Sequence, residues 1–124
     1  MKQTSHIILA VNDRLDQLEL LASIIEQPEY RVLRATTPNV AVQLTTCHQP
    51  DLIIINVSKL KTALGLHRRI RSIQNLTNTP ILVITTEPAQ IDFLNLTKDD
   101  ILESPYQPIT LAAKDARLVE RKRA

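Results

Sequence analysis

Polar residues follow apolar runs in four places: Asn12-Asp13 directly after Ile7 to Val11, Asn56 directly after Leu52 to Ile55, Thr85-Thr86 directly after Pro80 to Ile84, and Ser104-Pro105 one residue beyond Ile101-Leu102. In an open parallel sheet, ligands gather at the carboxyl ends of the strands, where strand order reverses. If the strand order is 2-1-3-4-5, Asp13, Asn56 and Thr85 converge on one small polar cluster. Without a ligand, Asp13 is expected to cap the helix that follows it, a role worth ~1 kcal/mol. Asn12, Asn56 and Thr85 are expected to bond one another in a closed, uncharged network. Other reactive side chains point to no second site. Cys47 falls in an apolar helical pattern and is expected to be buried and inert. His6, His48 and His67 are too scattered for a zinc site, and Glu87 reads as a solvated loop residue.

The elements that must hold this cluster are legible from hydrophobic periodicity. Ile7 to Val11, Leu52 to Ile55 and Pro80 to Ile84 are continuous apolar runs, the pattern of strands covered on both faces. Leu52 to Ile55 is the most β-branched and is expected to lie centrally. Tyr30 to Ala35 supplies another strand, and a short one is expected near Asp100 to Leu102. Between them the period turns helical. Leu15, Leu18, Leu21, Ala22 and Ile25 form one inward stripe ended by Pro28. Thr37-Pro38 opens a helix carrying Val40, Ala41, Leu44 and Cys47 inward and ending before Pro50. Leu64, Leu66 and Ile70 mark a third helix, Ala89 to Leu96 a weak fourth, and Pro108 opens a fifth facing inward with Leu111, Ala112, Leu118 and Val119, interrupted by Asp115. Five strands alternating with five helices predict an α/β, doubly wound, five-stranded parallel sheet with helices on both faces. Residues 1–124 are read as a single domain.

Four segments in order give a specific resemblance. Ile8-Leu9-Ala10-Val11-Asn12-Asp13, Pro50-Asp51-Leu52-Ile53-Ile54-Ile55-Asn56-Val57, Pro80-Ile81-Leu82-Val83-Ile84-Thr85-Thr86 and Asp99-Asp100-Ile101-Leu102-Glu103-Ser104-Pro105-Tyr106 resemble the strand signatures of response-regulator receiver domains, over residues 5 to 121. The resemblance implies a CheY-like, flavodoxin-like fold with strand order 2-1-3-4-5 and a place in two-component, phosphorelay-type signalling. It makes Asn56 the phosphoacceptor equivalent, Asn12 and Asp13 the acidic-pocket equivalents, Thr85 and Ile101 the switch equivalents, and Ser104 the lysine equivalent. The departures carry the argument. An amide such as Asn56 is a poor nucleophile and cannot form an acyl phosphate. Asp13 is left as the single carboxylate of three magnesium ligands, so only weak magnesium binding there is expected. Ser104 cannot pair with a phosphoryl group, and Ile101 replaces a switching aromatic ring.

The implied function is a degenerate receiver, or pseudo-receiver: a regulatory protein–protein interaction module independent of phosphorylation, with no enzymatic activity and no cofactor. Its partner would be a protein or an output domain, with a homodimer through the fourth helix, fifth strand and fifth helix as one form. Two other functions compete. Asp51 could serve as a non-standard phosphoacceptor, although it precedes its strand and belongs at the far edge of the sheet. A small nucleotide-binding domain of the same fold would need a glycine-rich loop, and the chain has one glycine. At 124 residues, 44% hydrophobic and 23% charged, with net charge +2, the composition is that of a soluble globular domain. A cytoplasmic location is expected, with neither a membrane nor a nucleic acid as partner. The basic clusters His67 to Arg71 and Arg117 to Arg123 read as solvated helix faces.

Overall fold

A computed structural model describes residues 6–74, 76, 78–88 and 101–123. The elements are β1 (His6–Val11), α1 (Leu15–Ile25), β2 (Tyr30–Ala35), α2 (Pro38–His48), β3 (Leu52–Ile55), α3 (Leu60–Arg71), β4 (Ile81–Thr85), β5 (Ile101–Glu103) and α4 (Pro108–Arg123). All strand pairings are parallel and the order is β2-β1-β3-β4-β5, as expected. Four helices stand among the described residues. The weak helix expected near Ala89 to Leu96 lies outside them, so the helix opened by Pro108 is α4.

The continuous apolar runs are explained by two cores, one on each face of the sheet. Ile8 and Ala10, Leu52 and Ile54, and Leu82 and Ile84 pack with Leu18, Leu21 and Ile25 of α1 and Leu111, Leu118 and Val119 of α4. Their strand neighbours Leu9 and Val11, Ile53 and Ile55, and Ile81 and Val83 point the other way, onto Ala41 of α2 and Ala63, Leu66 and Ile70 of α3. Side chains alternate across a strand, so a strand with helices on both sides needs an apolar residue at every position. Each fully buried Leu or Ile contributes roughly 1.5–3 kcal/mol. No helix among the described residues is long and apolar enough to cross a membrane.

Several local expectations are corrected. Asp13 does not cap α1: Arg14 occupies the N-cap, without a side-chain cap bond. Leu15 is 64% exposed, because the stripe that reaches the sheet begins at Leu18. On α2 the buried residues are Ala41 and Thr45, while Val40 is exposed and Cys47 is a free, exposed thiol. Thr45 can face the core because its hydroxyl donates to the Ala41 carbonyl at 2.7 Å. Cys47, two residues on, is rotated to the opposite side. The other α2 signals hold: Thr37 Oγ1 accepts from Val40 N at 3.2 Å with Pro38 in the first turn. The helix ends at Gln49, which takes the left-handed conformation with φ 48°.

Asp115 does interrupt the inward face of α4. It is fully buried, and neither carboxylate oxygen meets a hydrogen-bond donor among the described residues. Burial pushes its pKa up to about 7. The Tyr30 phenol is also raised, first by its own burial and then by the Asp115 charge.

Candidate functional site

The carboxyl edge of the sheet brings Asn12, Asn56, Thr85 and Ser104 around one pocket of about 210 Å³. Backbone bonds set its walls: Asn56 N donates to Val11 O at 2.8 Å, and Ser104 N donates to Thr85 O at 2.8 Å, so each loop starts from the strand beside it. The Ser104–Pro105 peptide is cis. Ser104 and Tyr106 form the wall behind β5, where burial raises the Tyr106 phenol pKa.

The expected closed amide network does not form. Asn12, 3% exposed, accepts from Arg14 N through Oδ1 at 2.9 Å. Thr85 Oγ1 accepts from Glu87 N at 2.9 Å. Both side chains tie down backbone N–H groups two residues ahead, which a short polar side chain reaches more easily than one on a neighbouring strand. The Asn56 amide is half-buried on the pocket wall and makes no side-chain hydrogen bond among the described residues.

Asp13 is drawn away to the next loop. Its carboxylate accepts from Ser58 N at 3.2 and 3.3 Å and from Ser58 Oγ at 3.0 Å, joining residues 45 positions apart in sequence. Asp13 does not line the pocket. The charged groups that do, among the described residues, are Arg14 and Glu87, of opposite sign. Ile101 is half-buried against the core shared by Leu9, Val11 and Val83 and is paired with Val83 in the β4–β5 register.

Sequence reasoning missed Arg14, Gln17, Ser58 and Tyr106. Arg14 had a usable signal, since it follows the strand-end pair directly and a first-turn side chain can fold back over the strand ends. Ser58 had none, because its role depends on the approach of the β3–α3 loop to the β1–α1 loop. Glu87, read as a solvated loop residue, is exposed and also lines the pocket. Asp51 stands at the other edge of the sheet: its Oδ2 accepts from Ile7 N at 2.8 Å and lies 3.9 Å from His6 Nδ1. The four residues of β3 separate it from Asn56, a span of roughly 16 Å at ~3.3 Å per residue.

Comparison with known proteins identifies the family of the fold. Residues 8–114 match the family described as the response regulator receiver domain. The chain is 26% identical over 113 residues to the response regulator GtcR of Aneurinibacillus migulanus, covering 89% of this chain and 46% of that protein. It is 27% identical over 118 residues to the phosphate regulon transcriptional regulatory protein PhoB of Pseudomonas aeruginosa, covering 92% of this chain and 52% of that protein. It thus spans about half the length of these curated relatives. Among solved structures, the signal receiver domain of a signal transduction histidine kinase from Syntrophus aciditrophicus superposes with a TM-score of 0.79 at 27% identity, covering 94% of this chain and 91% of that one. The chemotaxis response regulator CheY4 of Vibrio cholerae shares the fold with a TM-score of 0.79 at 23% identity, covering 93% and 99%.

Proposed function

The chain belongs to the response regulator receiver domain family, and from that premise we propose that it is a receiver that has given up phosphoryl transfer and signals by binding other proteins. The observation that carries the reading is the amide of Asn56 at the carboxyl end of β3, where the family resemblance expects the acceptor carboxylate. A neutral amide offers no oxygen nucleophile that can form and later release an acyl phosphate.

The rest of the pocket supports the same reading. Magnesium prefers negative oxygen ligands in octahedral array. The donors here are Asp13, already accepting from Ser58, and the amides of Asn12 and Asn56, with the Arg14 guanidinium on the same wall. That set does not fit the ion, and weak binding at Asp13 would require breaking its bonds to Ser58. Ser104 brings no cation to a phosphoryl group, and Ile101 fills apolar space where a switching ring would turn.

The competing functions fit less well. Asp51 holds the Ile7 amide at the amino edge, away from the pocket, which disfavours it as an acceptor. A pocket of about 210 Å³ is smaller than the ~300–1,000 Å³ usual for small-molecule sites. Receiver domains act through protein partners or output domains, and this one is read as an interaction module that performs no catalysis itself.

The test is incubation with radiolabelled acetyl phosphate and magnesium, beside a positive control carrying Asn56→Asp, Asn12→Asp and Ser104→Lys. The parent chain is expected to stay unlabelled, and its amide NMR signals at Asp13, Asn56 and Thr85 to stay fixed under magnesium and beryllium fluoride. Stable labelling of the parent chain would overturn the reading.

A further inference from the structure

Formal charge is unevenly spread along the chain. Between Tyr30 and Thr86 stand seven lysines and arginines against one acid, Asp51, a surplus of six inside a chain whose net charge is +2. Asp51 lies at the amino edge of the sheet with Ile7 and His6. Neither α2 nor α3 contains an acidic residue, so the outer face these helices share is uncompensated.

That face also has a groove. Pro38 on α2 and Gly65, Leu66, Arg68 and Arg69 on α3 line an open depression of about 500 Å³. Gly65 makes the space: a Cβ built there meets nothing within 4 Å. Leu66, 1% exposed, forms the floor. The cations stand around Gly65 at helical spacing, Lys61 one turn before it, Arg68 three residues after and Arg69 four after, all exposed. Arg69 reaches across to α2, where its Nη2 donates to Asn39 Oδ1 at 3.2 Å. Arg71, by contrast, is used internally, donating to Leu76 O and Thr79 O at 3.1 and 2.6 Å.

We propose that the groove between α2 and α3 is a docking site for an acidic segment of a partner protein, which seats one apolar side chain over Gly65 while its carboxylates meet Lys61, Arg68 and Arg69. The surface extends the reading of the chain as a binding module by naming the chemistry of its partner. Charge complementarity requires an acidic occupant. An apolar floor between charged rims suits a peptide with a single anchor side chain. A nucleic acid would look for broad stacking platforms, and neither helix carries a Phe, Tyr or Trp.

The experiment is selection of a phage-displayed random peptide library on the intact chain, followed by affinity measurements of the enriched peptides. The parent chain is compared with Gly65→Leu, with the pair Arg68→Glu and Arg69→Glu, and with Arg117→Glu as a remote control. Gly65→Leu fills the groove and gains ~1 kcal/mol of helix propensity, so unfolding does not explain lost binding, and a thermal melt checks this. The expected result is enrichment of Asp and Glu around one Leu, Met or Phe, with affinity falling about tenfold or more in both groove variants and unchanged in Arg117→Glu. Peptides without acidic enrichment, or peptides that bind Gly65→Leu as well as the parent, overturn the proposal. So does an oligonucleotide that displaces the peptides and binds Gly65→Leu undiminished, because the cations would then serve a nucleic acid. Labelling the same sample with acetyl phosphate separates the two readings: a labelled chain that still loses its peptides in Gly65→Leu keeps this surface and sinks the phosphorylation-independent function.

Discussion

The two faces of the sheet receive nearly the same apolar residues from each strand but treat buried polarity in opposite ways. On the α2–α3 face Thr45 is a buried polar side chain whose hydroxyl is satisfied by the Ala41 carbonyl one turn back. On the α1–α4 face it is Asp115, fully buried and without a hydrogen-bond donor among the described residues. A hydroxyl on a helix can always reach its own backbone, whereas a carboxylate needs a donor from elsewhere and loses its hydration if none comes. One face is thus built for stability and the other gives some away.

The largest expected effect exposes that difference. Asp115 has a raised pKa, so the folded state holds its proton more tightly than the unfolded chain. The native form binds more protons between the unfolded value of 3.8 and the folded value of about 7. Stability from this group is therefore highest at low pH, declines through that window, and carries its full penalty above it. Asp115→Ala removes an ionisation cost on the order of 4 kcal/mol at pH 8, offset in part by the cavity it leaves. Urea unfolding should find the variant more stable than the parent by roughly 2–3 kcal/mol at pH 8, with the gap narrowing or reversing at pH 5. A gap that ignores pH would mean that Asp115 has found a donor.

Smaller effects sharpen the α2 side of the comparison. Gln49→Gly relieves a non-glycine residue at positive φ and should gain about 1 kcal/mol in thermal unfolding. Thr37→Ala removes the cap on Val40 N and should lose about 1 kcal/mol by the same measurement. Thr45→Val keeps the shape and deletes a self-satisfied hydroxyl, so its effect should stay within about 1 kcal/mol of zero. A loss well beyond that would show the hydroxyl serving more than its own helix.

The carboxyl edge explains why a correct fold did not bring a correct network. Strand order predicts that Asp13, Asn56 and Thr85 converge; Asn56 and Thr85 do share a pocket, with Asn12 beside them, whereas Asp13 turns away to Ser58. The bonding did not follow from strand order, because the Asn12 and Thr85 side chains each had a backbone N–H of their own loop within reach, and such local partners need no cross-strand alignment. The α2 face was half right: Ala41 is buried and Leu44 packs on the same core, but Val40 and Cys47 are exposed and Thr45 takes the inward place, since a threonine can hide its hydroxyl.

By itself the sequence determined the strands and helices, the two-sided core and the amide at Asn56, because these follow from side-chain type and periods of 2 and 3.6 that are written locally, while the strand order came with the resemblance to receiver domains. Tertiary structure decided that Asp13 turns to Ser58, that Arg14 and Glu87 line the pocket, that Asp115 is buried with no donor among the described residues, and that Gly65 opens a groove among cations. Each of these depends on which loop or helix arrives beside another, and no local period records that distance.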